Sequence, residues 1–327
     1  MKIILFGGSG FVGTNLTKKL KDKSISSIVY DKRKPVLDCE YVKCDVTSLD
    51  KPLKNQQADI VINLAAEHRD DVTPISKYYD VNVNGAKNVC EYATSVGAKK
   101  IIFTSSVAIY GFAKPNTGED GEINHFNEYG KTKFLAEKVY KHWQEEDLEN
   151  RSLVIIRPTV ICGPGNRGNV YNFLKQIASR RFVMFGNGKN IKSMAYVENV
   201  VSFICHCLNF NPGVHIYNYV DKPDLNMNEL TTISRKTLFD KNNIGIRLPG
   251  FLGILIGYFF DVASFLTKKK LPISSIRVKK FMSYTQFSSA VDKTNFVAPF
   301  PLQEGLIKTL SYEFIEDNSD KPVFVTE

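Results

Sequence analysis

The chain has 327 residues, 43% of them hydrophobic, and a formal net charge of +9 at pH 7. That length supports an ordinary soluble core in one large domain or two modest ones. The excess of positive charge points to an anionic partner, and the lack of any zinc-finger or RNA-binding signature argues against nucleic acid. Cys39, Cys44, Cys90, Cys162, Cys205 and Cys207 form no CxxC pair and read as reduced, mostly structural thiols. His68, His125, His142, His206 and His215 show no metal-ligand spacing, so no metal is expected. Met1 runs directly into the first strand, so no signal peptide is expected.

Lys2–Phe6 reads as a short buried strand, followed at once by Gly7, Gly10 and Gly13 in the order G-x-x-G-x-x-G. A helical pattern starts near Phe11 and Val12 and runs to Leu20. Such a strand–turn–helix lets a pyrophosphate approach bare backbone at a helix N-terminus. Gly7, Gly10, Phe11, Val12 and Gly13 are therefore candidate cofactor residues, although the motif alone is weak. Ser26–Tyr30 is the second strand and ends at Asp31, an acid suited to the ribose hydroxyls of NAD. Lys32 and Arg33 keep NADP as the alternative; Asp31 would repel its 2′-phosphate, which favours NAD.

Glu40–Lys43 is a short strand leading to Asp45 and Val46, where a carboxylate can accept from an adenine amine. Asp59–Leu64 is the fourth strand and closes in Ala65-Ala66, small residues that let backbone pass close to a cofactor. The polar run Glu67, His68, Arg69, Asp70, Asp71 then faces the ligand crevice of an open α/β sheet. Tyr78–Val96 is helical in pattern and carries Asn82 and Asn84; Lys100–Thr104 is the fifth strand and delivers Ser105 and Ser106 to the glycine-turn edge. The alternation predicts a doubly wound, mostly parallel α/β sheet.

A helix opens at Tyr129-Gly130-Lys131-Thr132-Lys133 and runs to about Glu146. Tyr129 and Lys133 are four apart and share a face. A nearby ammonium favours phenolate, which suits Tyr129 for general acid/base work. Lys133 can also hold ribose hydroxyls, and Ser106 can donate to a substrate oxygen that gains charge. Ser152–Arg157, closed by Pro158, is the sixth strand. The residues alone support a nicotinamide oxidoreductase, or an isomerase that borrows its hydride chemistry.

The segments GGSGFVG (7–13), NVNG (82–85), TSSVAIYG (104–111), YGKTK (129–133) and RPTVICGPG (157–165) resemble extended short-chain dehydrogenases/reductases of the NAD-dependent epimerase/dehydratase family. The resemblance implies a Rossmann-type NAD-binding domain over 1–165. It also implies a smaller, mainly substrate-binding α/β domain over 166–327, with some segments returning to the first. It places NAD on Gly7, Gly10, Gly13, Asp31, Asp45, Asn82 and Lys133, and the catalytic set on Ser106, Tyr129 and Lys133. Val46, Leu64, Ala65, Ala66 and Ser105 are added as cofactor neighbours. Dehydratases of this class carry an Asp-Glu pair just after the serine or threonine; Val107 and Ala108 stand there instead, which ranks dehydration below epimerisation.

AAEHRDDV (65–72), RGNVYNFLKQIA (167–178), KSMAYVENV (192–200) and YNYVDKPDLNMNEL (217–230) resemble a narrower group. These are bacterial epimerases acting on N-acetylglucosaminyl-diphospho-undecaprenol in O-antigen or similar surface polysaccharide synthesis. The implied partner is a lipid-linked sugar diphosphate, epimerised at C4 through a transient 4-keto sugar. The alternatives are a soluble UDP-hexose or UDP-N-acetylhexosamine 4-epimerase, and a non-catalytic NAD-binding sensor or scaffold.

In the second half, Asn169–Ser179 reads as a helix, which in the family borders the substrate, with Asn169 as the hydrogen-bonding candidate. Lys192, Arg167, Arg247 and Arg277 are candidate diphosphate partners, with Lys192 and Asn169 joining Ser106 and Tyr129 as the substrate set. Phe182–Phe185, Met194–Val197 and Val214–Tyr219 are apolar strand-like runs, and Leu225–Leu238 is helical. The stretch 249–270 carries an apolar run, Phe251–Phe260, too short to span a bilayer and followed by Asp261. Its aromatic residues and the lysines at 268–270 predict a helix lying on a membrane surface, and the resemblance implies a peripheral enzyme on the cytoplasmic face of the bacterial inner membrane. The alternative is a helix of the core or of a homodimer interface. Leu306–Phe314 is a last amphipathic helix, and the tail after Glu316 reads as loose.

Overall fold

The computed structural model describes residues 1–49, 56–69, 72–267 and 275–325. Asp70, Asp71 and the lysines at 268–270 lie outside the described residues, as does the side chain of Arg277. Seven strands form one parallel sheet: β1 (Lys2–Phe6), β2 (Ser26–Asp31), β3 (Tyr41–Lys43), β4 (Ile60–Asn63), β5 (Lys100–Thr104), β6 (Ser152–Pro158) and β11 (Gly213–Tyr219). Their spatial order is β11-β6-β5-β4-β1-β2-β3. This is the doubly wound Rossmann-type order, in which the connection reverses direction between β1 and β4 and opens a crevice at the strands' carboxyl ends.

Strand alternation fills both faces. Ile3, Leu5, Val29, Ile60 and Ile62 point to one side, against α1 (Phe11–Asp22) and α6 (Val197–Cys207). Ile4, Phe6, Ile28, Val61, Ile101 and Phe103 point to the other, against α3 (Gly85–Ser95) and α4 (Glu128–Glu145). With both faces covered, these strands read as continuous apolar runs, and this is why β1 and β5 are found where the sequence puts them. The expected single helix over 78–96 is instead α2 (Ser76–Tyr78), a π-helical stretch over Tyr79–Asn84, and α3.

A separate core holds the second unit. It joins Leu174 of α5 (Asn169–Ala178), Met184 of β8 (Val183–Phe185), Met194 of β10 (Met194–Tyr196), Leu230 of α7 (Met227–Phe239), and Leu302, Leu306 and Leu310 of α10 (Leu302–Phe314). The chain does not divide between the two units at one point. β11 pairs with β6 in the main sheet, and α6 belongs to the main-sheet core although it lies beyond residue 166. Short strands complete the second unit: β7 (Val160–Cys162) pairs with β10, β9 (Ile191–Lys192) with β12 (Leu225–Asn226), and β13 (Ile246–Leu248) with β8. The tail after Glu316 is not free: the Phe324 N–H donates to Gly165 O at 2.8 Å, and Arg167 N–H donates to Phe324 O at 2.8 Å.

One buried ion pair joins α4 to the sheet. Arg157 of β6 donates through Nε and Nη2 to the two Glu137 carboxylate oxygens of α4, at 2.9 and 2.7 Å. Its Nη1 donates to the Tyr110 hydroxyl at 2.6 Å and to Glu119 O at 2.9 Å. Both partners are buried, Glu137 at 0% and Arg157 at 3% exposure. Removing one partner strands the other charge in low dielectric, whereas removing both does not. Glu137→Met and Arg157→Met are each expected to lower unfolding stability by about 3–5 kcal/mol. The double variant should recover a large part of that loss, as read from urea midpoints. Equal losses in single and double variants would show that packing rather than charge pairing dominates.

Candidate active site

The glycine turn sits at the crevice for steric reasons. Gly7 has φ +76°, and a Cβ there would come within 2.5 Å of Ala65 N, so the turn after β1 lies directly on the chain leaving β4. A Cβ on Gly13 would collide with Gly7 O and Gly8, which closes α1 against the turn. Gly10 differs: the nearest atom to its Cβ would be Gly7 O at 3.4 Å, and its φ is −79°. Packing does not demand glycine there, and the residue borders a cavity of about 580 Å³. A bare backbone N–H face at a helix start, with room in front of it, fits a pyrophosphate.

Gly7, Gly10, Phe11, Val12, Gly13, Asp31, Asp45, Val46, Leu64, Ala65, Ala66, Ser105, Ser106, Tyr129, Lys133 and Asn169 all line this one cavity. Asp31 is oriented by two backbone donors, Ser9 N–H at 3.0 Å and Arg33 N–H at 2.9 Å, one on each carboxylate oxygen. Each oxygen keeps a lone pair for a ribose hydroxyl. The Ser105 hydroxyl is buried with no hydrogen-bond partner among the described residues. An orphaned hydroxyl on a cavity wall is the mark of a ligand site. The residues present therefore fit a dinucleotide.

Two expected contacts are not at the cavity. Asn82 is buried beside it: its amide donates to Glu67 O and Thr132 Oγ1, each at 2.9 Å, and its Oδ1 accepts from Glu67 N–H at 2.8 Å. It ties the loop after β4 to α4. The Lys192 ammonium donates to the carbonyls of Ser283 at 2.7 Å and Lys280 at 3.0 Å, and Lys192 is absent from the cavity wall. It closes the end of α9 (Ser275–Met282), and burial brings its pKa down to about 8. Arg167 pairs with Glu313 at 3.1 Å, and Arg247 donates to Asn228 Oδ1 at 2.7 Å. Conversely, Ser193, Thr285 and Phe287 line the cavity. No sequence motif marks Thr285 or Phe287; isolated backbone bridges bring them in, Thr285 to Lys192 of β9 and Phe287 to Thr117.

Ser106, Tyr129 and Lys133, the expected catalytic set, are brought together by close packing. Asn127 Oδ1 caps α4 by accepting from Gly130 N–H at 2.9 Å. A Cβ on Gly130 would stand 2.5 Å from Ala108 O, so α4 rests directly on the turn that follows Ser106. That contact brings Tyr129 and Lys133 to the cavity alongside Ser106. Ser106 Oγ accepts from Ala108 N–H at 3.1 Å, which leaves its proton free to donate into the cavity. Lys133 is 2% exposed, with its ammonium 4.4 Å from the Phe103 ring centroid. Burial pushes its pKa down to about 7, against the opposing pull of Glu137. Val107 and Ala108 line the wall where elimination of water would need proton-transferring side chains.

The family model described as "NAD dependent epimerase/dehydratase family" matches residues 3–219. The chain belongs to this family. It is 48% identical over 332 aligned positions to the N-acetyl-alpha-D-glucosaminyl-diphospho-ditrans,octacis-undecaprenol 4-epimerase of Escherichia coli O157:H7, covering 99% of both chains. It is 31% identical over 219 residues to a UDP-glucose 4-epimerase of Vibrio cholerae, covering 63% of this chain and 66% of that one. Among solved structures, the UDP-glucuronic acid 4-epimerase of Bacillus cereus, in complex with UDP-glucuronic acid and NAD, shares the fold. Its TM-score is 0.74 at 18% identity, over 95% of this chain and 98% of that one. The protein is thus an NAD-dependent sugar epimerase, and NAD is its cofactor.

The lowered Lys133 pKa makes stability depend on pH. Between about 7 and the ordinary value of 10.5, the unfolded chain binds a proton that the folded, NAD-free protein does not. Stability of the NAD-free protein should therefore rise with pH across that window, and the full penalty should be present below it. Lys133→Met should lack this slope and melt higher than the wild type at pH 6.5, with the gap closing toward pH 10. Parallel melting curves for the two proteins across this range would refute a neutralising, buried Lys133.

Proposed function

We propose that the protein interconverts N-acetylglucosamine and N-acetylgalactosamine at C4 while the sugar is linked to undecaprenyl diphosphate. The observation that carries this reading is the full-length relation to the undecaprenol-linked 4-epimerase, 48% identical across 99% of both chains. The catalytic set in one cavity supports it. Held by Gly10, Asp31 and Lys133 on the cavity wall, NAD would supply a hydride acceptor and donor for sugar C4. Tyr129 takes the O4 proton as the hydride leaves and gives it back on the return. Ser106 donates to O4 and holds the oxygen while it is part of the 4-keto sugar. Lys133 sits one helical turn from Tyr129 and favours its ionised form when charged. The sugar turns between the two half-reactions, so hydride returns to the opposite face with no net redox change. Asn169, on the cavity wall, is the sugar- or diphosphate-facing residue of α5.

The test is to supply synthetic undecaprenyl-diphosphate-N-acetylglucosamine and, separately, UDP-N-acetylglucosamine, then hydrolyse and identify the sugar. Galactosamine from the lipid alone is expected; galactosamine from the nucleotide sugar alone would select the soluble alternative. Tyr129→Phe should lose about 10²–10⁴-fold in turnover. Ser106→Ala should lose on the order of 10²-fold. Full activity in Tyr129→Phe would refute the assignment, and bound NAD without turnover of any sugar would restore the sensor reading.

The same reading places the enzyme on the cytoplasmic face of the bacterial inner membrane, where an undecaprenyl chain keeps its sugar near the headgroups. α8 (Gly250–Thr267) is the one described helix long and apolar enough to cross a membrane by length and composition. Its packing favours lying on the surface instead. Gly253 and Gly257 are its buried residues, and a Cβ on Gly253 would stand 2.6 Å from Phe185, so the glycine face lies flat on the second unit. Asp261 accepts from Ser275 N–H at 3.2 Å, which joins α8 to α9 as a hairpin. Phe251, Leu255, Phe259, Val262 and Phe265 are left exposed on α8. An apolar helix face of this kind suits the headgroup–acyl boundary. Cells carrying Phe251→Asp/Leu255→Asp should shift the enzyme from the membrane pellet to the soluble fraction. Undiminished pelleting would assign the helix to an interface between copies.

A further inference from the structure

Resting on that reading, we infer that Phe112, Phe126 and Lys280 form a binding site for a prenyl diphosphate at the mouth of the catalytic cavity. Phe112 is 73% exposed and Phe126 48%, yet their rings pack against each other in a tilted arrangement, 5.0 Å between centroids and 32° between planes. Two large aromatic side chains paired in water form an apolar surface ready to be covered. Both are attached to the site itself. Phe112 follows Gly111, a cavity-wall residue held in place at φ +62° against Asn124. Phe126 precedes Asn127, the cap of the catalytic helix, and stands three residues before Tyr129.

The charge at this mouth comes from α9. The Lys280 ammonium lies 5.1 Å from the Phe126 ring centroid. Its backbone is fixed by Lys192, which donates to Lys280 O at 3.0 Å. The chain then continues from α9 to Thr285 and Phe287 on the cavity wall. Beside the sugar cavity therefore stand the aromatic pair and the Lys280 cation, which belongs to the α8–α9 hairpin whose α8 carries the exposed apolar face. A ligand that presents a sugar, a diphosphate and then isoprene units meets complementary chemistry there. Isoprene methyls pack on the ring faces, and the diphosphate meets Lys280. The sequence-level candidates for the anion, Lys192, Arg167 and Arg247, all have protein partners, whereas Lys280 rests on an exposed ring at the mouth.

The experiment measures binding of farnesyl diphosphate to the NAD-loaded protein by calorimetry, with inorganic diphosphate and farnesol as separate arms. Wild type should bind farnesyl diphosphate more tightly than either fragment. Phe112→Ser/Phe126→Ser should weaken it by about tenfold or more, the scale of losing a buried apolar contact, and Lys280→Met should weaken it by several-fold while NAD content stays at the wild-type level. In turnover, the double variant should raise KM for the undecaprenyl substrate and lose the advantage of long over short prenyl chains. Unchanged farnesyl diphosphate binding in the variants overturns the proposal, as does equal binding of inorganic diphosphate. A changed oligomeric state with unchanged binding also overturns it and makes the pair an interface between copies. Wild type that binds farnesyl diphosphate through these residues but converts no lipid-linked sugar would instead overturn the substrate assignment and leave the site standing.

Discussion

The Arg157–Glu137 pair is the interaction through which the sheet and α4 are held in one geometry. Glu137 is one turn beyond Lys133 on α4, and Arg157 is near the end of β6. The guanidinium also holds Tyr110, whose hydroxyl donates to Asn218 Oδ1 at 2.9 Å on β11. Four segments far apart in the chain are thereby fixed through one fully satisfied polar network. Such a network tolerates little displacement, because any partner that moves leaves a buried charge unpaired. The same carboxylate opposes the burial that lowers Lys133, so the helix anchor also moderates the electrostatics of Lys133.

Around that anchor the site is made by backbones in contact. Gly7 against Ala65 joins two strand ends, and Gly130 against Ala108 joins the catalytic helix to the serine turn. Each contact needs a residue without a side chain, and each shortens the distance between groups that must act on one sugar carbon. The second unit then closes the far wall with Ser193, Thr285 and Phe287. The α8–α9 hairpin hangs on this unit, tied in by the capping of α9 from Lys192 and Asn190.

Much of this was legible in the chain because it depends on local order. β1 and β5 lie where their apolar runs place them, and the glycine spacing, Asp31, Ser106 and the Tyr129–Lys133 pair all fall on one cavity. Other features had no local signal. α6 starts directly from β10 with no capping side chain, so nothing in the sequence marks its beginning. The tail after Glu316 is polar and short of periodic structure, yet Phe324 is fixed by pairing with Gly165 and Arg167.

Asn82 and Lys192 show where the boundary lies. Each has the chemistry of a ligand residue, and each sits in a stretch that resembles the family. Whether a donor faces a ligand or a carbonyl depends on what stands opposite it. Asn82 meets Thr132, 50 residues away, and Lys192 meets Ser283, 91 residues away. The sequence by itself determined the parallel sheet, the glycine turn after β1 and the placing of Ser106, Tyr129 and Lys133 at one sheet edge, because periodicity and short-range spacing dictate them. Only the tertiary structure decided which polar side chains remain available to a ligand, because hydrogen-bond partners are allotted by packing between segments whose separation along the chain carries no signal.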